Sequence, residues 1–590
     1  MPSSFKRERA SSIEPSESKV QEDNMGDTSS SSGTNGTMPR SRYTHQDQAQ
    51  PSTTYPAGFR LVAILGSVTL VCFLMLLDSS IVSTAAPKIT DYFHSLNDVG
   101  WYGSAYTLSI ASLQPLSGKI YNRVSIKWAF LSFFFVFELG SLICGVATSS
   151  TMLIVGRAVA GMGASGLMNG GMSIVAGSVT LSRRPAIIGM VLGVGNIAIA
   201  AGPLLGGVFT EYASWRWCFY VNLPIGGVVA VMMLFVDVPE LVENKARLRR
   251  AGSANPSRLA SVADTLKKLP NELDLVGFAL IAPAAIQLLL ALQYGGNDFP
   301  WNSSTVIGLF CGSGATFAVW LFWNYRRGDD ALIPVSMARK RPVWVNCLGY
   351  LFLMATLFVP AYMLPIYFQA VKDATPFQSG VDVLPTILSQ LFATVISGFA
   401  VQKTGYPIYF ALTSGTLVTV GCGLLSTLSS STPTGEWVGY QIIAGVGRGL
   451  GLQMAMIAIQ AALPPSEIPT GTALLIFSQS MGTSIFLTVA NTILNQSLSS
   501  QLHTHAPDVD ADAILAGGAT AFREFVDEED LPGVLTAYAN SVGRTFYLTV
   551  GAGAAAFCFG WGMGFLDIRE KKKDVPRDQD QDRDIEKIAV

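Results

Sequence analysis

Three ionisable side chains stand in runs of sequence too apolar to solvate a charge. Asp78 lies in Leu77-Asp-Ser-Ser-Ile-Val-Ser-Thr-Ala-Ala-Pro87, Glu138 in Phe133-Phe-Phe-Val-Phe-Glu-Leu-Gly140, and Arg157 in Leu153-Ile-Val-Gly-Arg-Ala-Val-Ala-Gly-Met-Gly163. An ionised group at a bilayer centre costs at least a few kcal/mol, so such residues are functional by default. On helices, Asp78 lies about 12 Å below the outer end of its span and Arg157 about 9 Å below the outer end of another, so the two can share a depth. A neighbouring guanidinium favours the ionised carboxylate, whereas isolation in apolar surroundings favours the protonated acid. Making and breaking an Asp78–Arg157 pair would therefore load and release a proton. The competing reading is a static salt bridge that fixes helix packing. Glu138 is either a second protonation site or a helix-packing polar residue, and Arg448, equally deep, needs a partner or water.

The elements that must position these residues are membrane helices. Of 590 residues, 49% are hydrophobic and only 14% charged, and the mean hydropathy is +0.39, far from a soluble domain. From Phe59 onward fourteen runs of about 20 apolar residues recur, each long enough to cross about 30 Å of hydrocarbon; the first is 59–86 and the last two are 470–494 and 545–566. Residues 1–58 have no apolar run and read as a disordered tail. The seven cysteines lie in apolar runs without metal-ligand spacing and read as packing residues. A net charge of −2 leaves no nucleic-acid footprint. Without a Walker A sequence the chain is expected to hydrolyse no ATP. It is not read as an enzyme, and no cofactor or metal is implied.

With the N-terminal tail in the cytosol, Arg123/Lys127, Arg183/Arg184, Lys245 to Lys268, Arg326/Arg327, Arg339/Lys340/Arg341, Lys403 and Lys571 to Lys573 share one face. Positive residues mark the cytosolic side, so both termini are expected there. Asn302 and Asn495 head glycosylation sequons on the opposite face. His503 and His505, in the outer loop, read as a solvated pair rather than a metal site.

Gly118-Lys-Ile-Tyr-Asn-Arg after the second run is echoed by Gly398-Phe-Ala-Val-Gln-Lys, 280 residues on, and Gly161-Met-Gly163 by Gly445-Val-Gly447, 284 residues on. That argues for two six-helix halves. The expected division is a 1–58 tail, a 59–236 N-terminal half, a 237–272 cytosolic linker, two inserted helices in 273–325, a 343–566 C-terminal half with an outer loop at 495–544, and a 567–590 tail.

Gly193-Val-Gly-Asn-Ile-Ala-Ile-Ala-Ala-Gly-Pro-Leu-Leu-Gly-Gly207 combines apolarity with a glycine rhythm that lets helix backbones approach closely in lipid. Its spacing, through Gly193, Gly202, Pro203, Gly206 and Gly207, resembles the fifth-helix antiporter motif of drug:proton antiporters in the major facilitator superfamily. Gly118-Lys-Ile-Tyr-Asn-Arg-Val-Ser-Ile-Lys127 resembles the superfamily's gating motif, keeping Gly118, Arg123 and Lys127 but with Asn122 where the family usually has Asp and Ser125 where it has Gly. Arg157-Ala-Val-Ala-Gly-Met-Gly163 resembles the fourth-helix motif whose Arg is associated with proton transfer. Trp215-Arg-Trp-Cys-Phe-Tyr-Val-Asn-Leu-Pro-Ile-Gly-Gly227 and Leu364-Pro-Ile-Tyr-Phe-Gln369 look like the fungal fourteen-helix branch.

The resemblance implies an all-α major facilitator fold and proton-coupled efflux of a small, largely apolar organic compound such as a drug, toxin or fungal secondary metabolite. Uptake of a nutrient or siderophore through the same fold remains open, with a non-transporting sensor a further alternative. The partners implied are cargo, protons and the lipid bilayer, with a monomer in the plasma membrane, or else in a vacuolar or vesicle membrane.

Overall fold

A computed structural model describes residues 55–94, 98–239, 272–296, 299–511, 513–515, 522–524 and 526–569. The expected disordered tail up to residue 54, the Lys245 to Lys268 stretch and Lys571 to Lys573 lie outside the described residues.

Regular structure in the described residues is helical. The N-terminal elements are α1 (Phe59–Phe93), α2 (Val99–Arg123), α3 (Ile126–Gly145), α4 (Ser150–Ser178) and α5 (Arg184–Tyr212), followed by α6 (Trp217–Phe235), which breaks after one turn. Next come α7 (Leu275–Tyr294) and α8 (Ser304–Arg327). The C-terminal elements are α9 (Arg341–Ala370), α10 (Phe377–Thr404), α11 (Pro407–Leu425), α12 (Thr434–Ala462), α13 (Ile468–His505) and α14 (Leu531–Gly562). Local chemistry sets several starts. The side chains of Ser149, Asp274, Ser303 and Thr375 accept the backbone N–H of Met152, Gly277, Val306 and Gln378, satisfying a donor that a helix start leaves free.

Thirteen of these elements are long and apolar enough to cross a membrane. The remaining one, α2, has 25 residues, length enough to span, but carries Gln114, Ser117 and Lys119 on buried positions and is correspondingly less apolar. Two boundaries move. The region expected as an outer loop, 495–544, is helical at both ends: α13 runs on to His505 and α14 begins at Leu531. Asn-Gln-Ser-Leu-Ser-Ser-Gln is too polar to register as a span, yet it continues a helix that at 38 residues is roughly 57 Å long and outreaches the hydrocarbon.

The two echoes found in the sequence belong to a repeat that the packing reproduces atom by atom. A Cβ placed on Gly161 would meet Tyr106 O at 2.4 Å, and one on Gly445 would meet Thr386 O at 2.6 Å. Gly140 lies against Ala160 N as Gly421 lies against Ala444 N, and Gly163 against Phe137 N as Gly447 against Val418 N. Polar pairs follow suit: Asn169 meets Ser117 Oγ at 3.3 Å, and Gln453 Nε2 donates to Ser397 Oγ at 3.0 Å. The offset is 280 residues between α2 and α10 and 284 between α4 and α12, so each sequence echo was the spacing of one helix pair. Glycine is required at these contacts because a side chain would drive backbone into backbone.

The halves meet along α5 against α10 and, by the same symmetry, α2 against α13. Gly118 abuts Pro469 O and Gly398 abuts Pro185 O, which closes the end of the bundle that carries Arg123, Arg183 and Lys403. α7 packs on α8 and against α2 and α13, so the inserted pair leans on one seam between the halves. Its outer member is peripheral: 17% of the apolar window of α8 is buried, against 78% for α12.

Candidate functional site

The N-terminal half brings Asp78 and Arg157 together. Arg157 Nη1 donates to Asp78 Oδ2 at 2.6 Å, with the side chains 1% and 0% exposed respectively. Arg157 Nε donates to Tyr102 O at 2.8 Å, and its guanidinium lies 4.3 Å from the centre of the Tyr106 ring. Asp78 Oδ1 accepts from Asn222 Nδ2 at 3.1 Å, and the same amide reaches Ser141 Oγ at 3.1 Å. Four helices besides α1 thus converge on the ion pair: α4 supplies the positive charge and α6 an amide to Asp78, while α2 supports Arg157 with a carbonyl and a ring and α3 meets the Asn222 amide with a hydroxyl. A buried ion pair of this kind offsets its desolvation only when the remaining donors and acceptors are also met.

Repeat symmetry shows what is specific to this half. In the C-terminal half the position matching Arg157 is Gln441, whose Nε2 donates to Asp382 O at 2.9 Å as Arg157 Nε does to Tyr102 O. Gln441 Oε1 accepts from Thr386, the match of Tyr106. The scaffold is therefore duplicated, while the charge-bearing pair is carried by one copy.

Glu138 stands one turn before Ser141 on α3, where its carboxyl oxygens touch the Gly226 position of α6; a Cβ there would lie 2.1 Å from Glu138 Oε1. Both oxygens are enclosed and find no hydrogen-bond partner among the described residues. Arg448 is likewise enclosed, 2% exposed, with Nε and Nη2 unpartnered among the described residues.

The glycine stretch of α5 faces α1 within the same half. A Cβ on Gly202 would stand 1.9 Å from Ser80 Oγ and 3.0 Å from Ile81 N, and one on Gly206 2.7 Å from Ile81 O. The close approach therefore clamps the segment of α1 just beyond Asp78. Gly193 faces the other half, at Leu391 and Val395. Gly207 makes no such contact: among the described residues no atom lies within 4 Å of its would-be Cβ, so it does not extend the packing face. Pro203 lies within α5, which continues to Tyr212.

The turn between α2 and α3, with the end of α2 that leads into it, is tied at four points. Asn122 Nδ2 donates to Thr470 Oγ1 at 2.5 Å across the halves. Arg123 pairs with Glu272 at 3.3 Å, and Lys127 Nζ donates to the carbonyls of Leu234 and Val236 at the end of α6. Lys119, unremarked as a site residue in the sequence, donates to Asp330 O and Ala331 O in the segment after α8. That segment is organised by buried Asp274, which accepts from Gly277 N, Trp323 Nε1 and Leu332 N. It leads to Lys340, which pairs with Glu467 at the start of α13 at 2.8 Å. The chain from 328 to 340 is thus strapped across the closed end, from α2 to α13. Replacing Lys119 by Met is expected to leave the buried Ala331 carbonyl and the part-buried Asp330 carbonyl without this donor and to weaken closure by about 1–3 kcal/mol. Thiol labelling of a cysteine introduced at Thr470 measures this; labelling no faster than in the parent with Lys119 intact refutes it.

Tyr102, Ser141 and Asn222 complete the centre and were not singled out in the sequence. Asn222 had a signal, an amide inside Trp-Cys-Phe-Tyr-Val-Asn-Leu-Pro-Ile, but amides in such runs often only join helices. Gln390 does this, donating to Asn196 Oδ1 at 2.9 Å between the halves. Asn302 is exposed in the turn ahead of α8, and Asn495 is exposed within α13. Among the described residues no cluster of His, Cys, Asp or Glu is arranged to hold a metal.

Comparison with known proteins agrees with this architecture. Residues 68–487 match the family profile of the Major Facilitator Superfamily. An MFS-type transporter, pigP, from Monascus ruber is 54% identical over 86% of this chain and 87% of its own length. The efflux pump mlcE from Penicillium citrinum is 48% identical, over 86% and 90%. Among solved structures, the proton:xylose symporter XylE superposes with a TM-score of 0.54 at 12% identity, covering 87% of this chain and 98% of that one.

Proposed function

Since the chain belongs to the major facilitator superfamily of multi-pass membrane transporters, we propose that it exports a small, largely apolar organic compound in exchange for protons. The observation that carries the proton-coupling reading is the buried Asp78–Arg157 pair with its Asn222 and Ser141 supports. A proton arriving at Asp78 Oδ2 displaces the Arg157 Nη1 hydrogen bond and neutralises the carboxylate. Arg157 then keeps the Tyr102 carbonyl and the Tyr106 and Phe219 rings, and the contacts linking α1 to α4 loosen. Two arrangements of these helices, one favoured by the proton and one by cargo, suffice for obligatory exchange. Glu138, whose enclosed oxygens have no partner among the described residues, is suited to hold a proton as the neutral acid and serves as the second site in this reading. Gly118, Asn122, Arg123 and Lys127 gate the basic end, and Gly193, Gly202 and Gly206 hold α5 against α1 and α10.

Export is supported by the relatives named as efflux pumps. The basic end is assigned to the cytosol, with both termini on that side, in the plasma membrane. Comparing metabolites in cells and medium of a strain lacking the gene tests the direction: the account expects one compound to be retained inside the cells, and an unchanged distribution of every compound would contradict it. The sidedness predicts a glycan on Asn302. Its turn leaves the acceptor accessible, whereas the Asn495 sequon is wound into a helix with Ser497 buried. Glycosidase treatment is expected to shift the wild-type band and not that of Asn302→Gln; a shift that persists in Asn302→Gln and vanishes in Asn495→Gln would reverse the assignment.

A further inference from the structure

The C-terminal half buries a positive charge for which the described residues supply no counter-charge. Arg448 lies on the stripe of α12 that it shares with Gln441 and Ala444, all of them buried, while Ile442 on the opposite side is exposed. Helices α9, α11, α13 and α14 contain no Asp or Glu, and α10 and α12 contain one each, Asp382 and Glu436. Both lie at the far end of the half. Asp382 is hydrogen-bonded to Gln378, and Glu436 accepts from Tyr440 and stands twelve residues, about 18 Å, along α12 from Arg448. The repeat makes the contrast sharper. Where the C-terminal half has Arg448 the N-terminal half packs Ala164, with the same glycine-mediated contacts of Gly163 and Gly447 alongside, so the packing does not call for a guanidinium.

A guanidinium stays charged at any physiological pH, and a buried charge is retained only when something pairs with it. We propose that Arg448 is the recognition site for a negatively charged group on the cargo, so that the exported compound is a monocarboxylate, or an equivalent monovalent organic anion, on a largely apolar body. The planar fork of the guanidinium suits a carboxylate, which it binds through two parallel N–H donors, and Nε and Nη2, which form one edge of that fork, are enclosed without a partner among the described residues. The Asp78–Arg157 pair is electrically balanced and Glu138 is neutral when protonated, so among these four deep groups of the described helices the balance is one positive charge, that of Arg448. An anion is attracted into such an interior and a cation is repelled. This inference rests on the export reading above for its cargo, but its test does not use export.

The test is thermal unfolding of the purified full-length protein, titrated separately with sodium benzoate and sodium chloride at ionic strength held constant with sulfate. Benzoate is expected to raise the Tm of the wild type saturably and to leave Arg448→Met unmoved, with Arg448→Lys responding only in part. Replacing an unpaired buried charge by an apolar side chain of similar length is neutral or stabilising, so Arg448→Met should match or exceed the wild-type Tm in sulfate alone. A lower Tm there would reveal a structural partner and overturn the proposal. So would a benzoate shift that survives in Arg448→Met, or the absence of any shift in the wild type. Chloride acting as strongly as benzoate would make the site one for an inorganic ion and overturn the cargo assignment, while pH-driven export of the retained compound would stand or fall on its own.

Discussion

Asp78→Asn is expected to abolish transport driven by a pH gradient while leaving exchange of cargo down its own gradient in place. The substitution keeps the shape that Asn222 and Ser141 surround but removes the carboxylate proposed to bind and release the proton. It also leaves Arg157 buried without its counter-charge, a loss of about 3–5 kcal/mol in comparable sites. A lower Tm is therefore part of the expected result, and the double variant Asp78→Asn/Arg157→Gln, patterned on the neutral Gln441 of the other half, should recover most of that stability without recovering coupling. In inverted vesicles with an acid interior, wild type accumulates cargo and both variants do not. Full accumulation by Asp78→Asn would move the coupling site elsewhere, with Glu138 the next to test.

The second large effect concerns the close approach of α5 to α1. Gly202→Leu places a branched side chain where the first atom alone meets Ser80 Oγ and the backbone of Ile81. Helix must move from helix, and overpacking of this kind costs about 1–3 kcal/mol or more. Because the contact sits two to three residues beyond Asp78, the shift should misplace the carboxylate relative to Arg157, giving weak export and a proton leak. Gly207→Leu is the control, since its side chain enters open space, and it should transport as wild type. Measured proton flux and cargo accumulation decide between them; equal impairment of the two variants would show that the glycines matter for reasons other than packing on α1.

Much of this was legible before the fold was known, for reasons that individual residues make plain. Apolar runs long enough to cross a bilayer are a strong signal, and only α2, with Gln114 and Lys119 inside it, falls near the limit. The ends of α13 and α14 were missed because polar helix and polar loop look alike in composition. The Asp78–Arg157 pair could be anticipated from depth alone, because two opposite charges at one level in a low dielectric have few alternatives. Asn222 and Ser141 could not, since neutral polar residues are common at helix contacts and carry no sign. Lys119 was hidden among basic residues read as topology markers, although it grips Asp330 and Ala331 rather than standing in water. Gly207 shows the opposite failure: a motif position filled by the right residue makes no contact that needs it.

The central claim is that cargo and a proton compete through Asp78, and proton release on cargo binding tests it most directly. Purified protein in weakly buffered solution, at a pH where the proton-loaded form is populated, is mixed with the compound retained by the deletion strain while a pH indicator is followed. The account predicts net proton release by wild type, saturating with cargo, and none by Asp78→Asn. Proton uptake on binding would indicate symport, and release of the same size from Asp78→Asn would remove that carboxylate from the coupling mechanism.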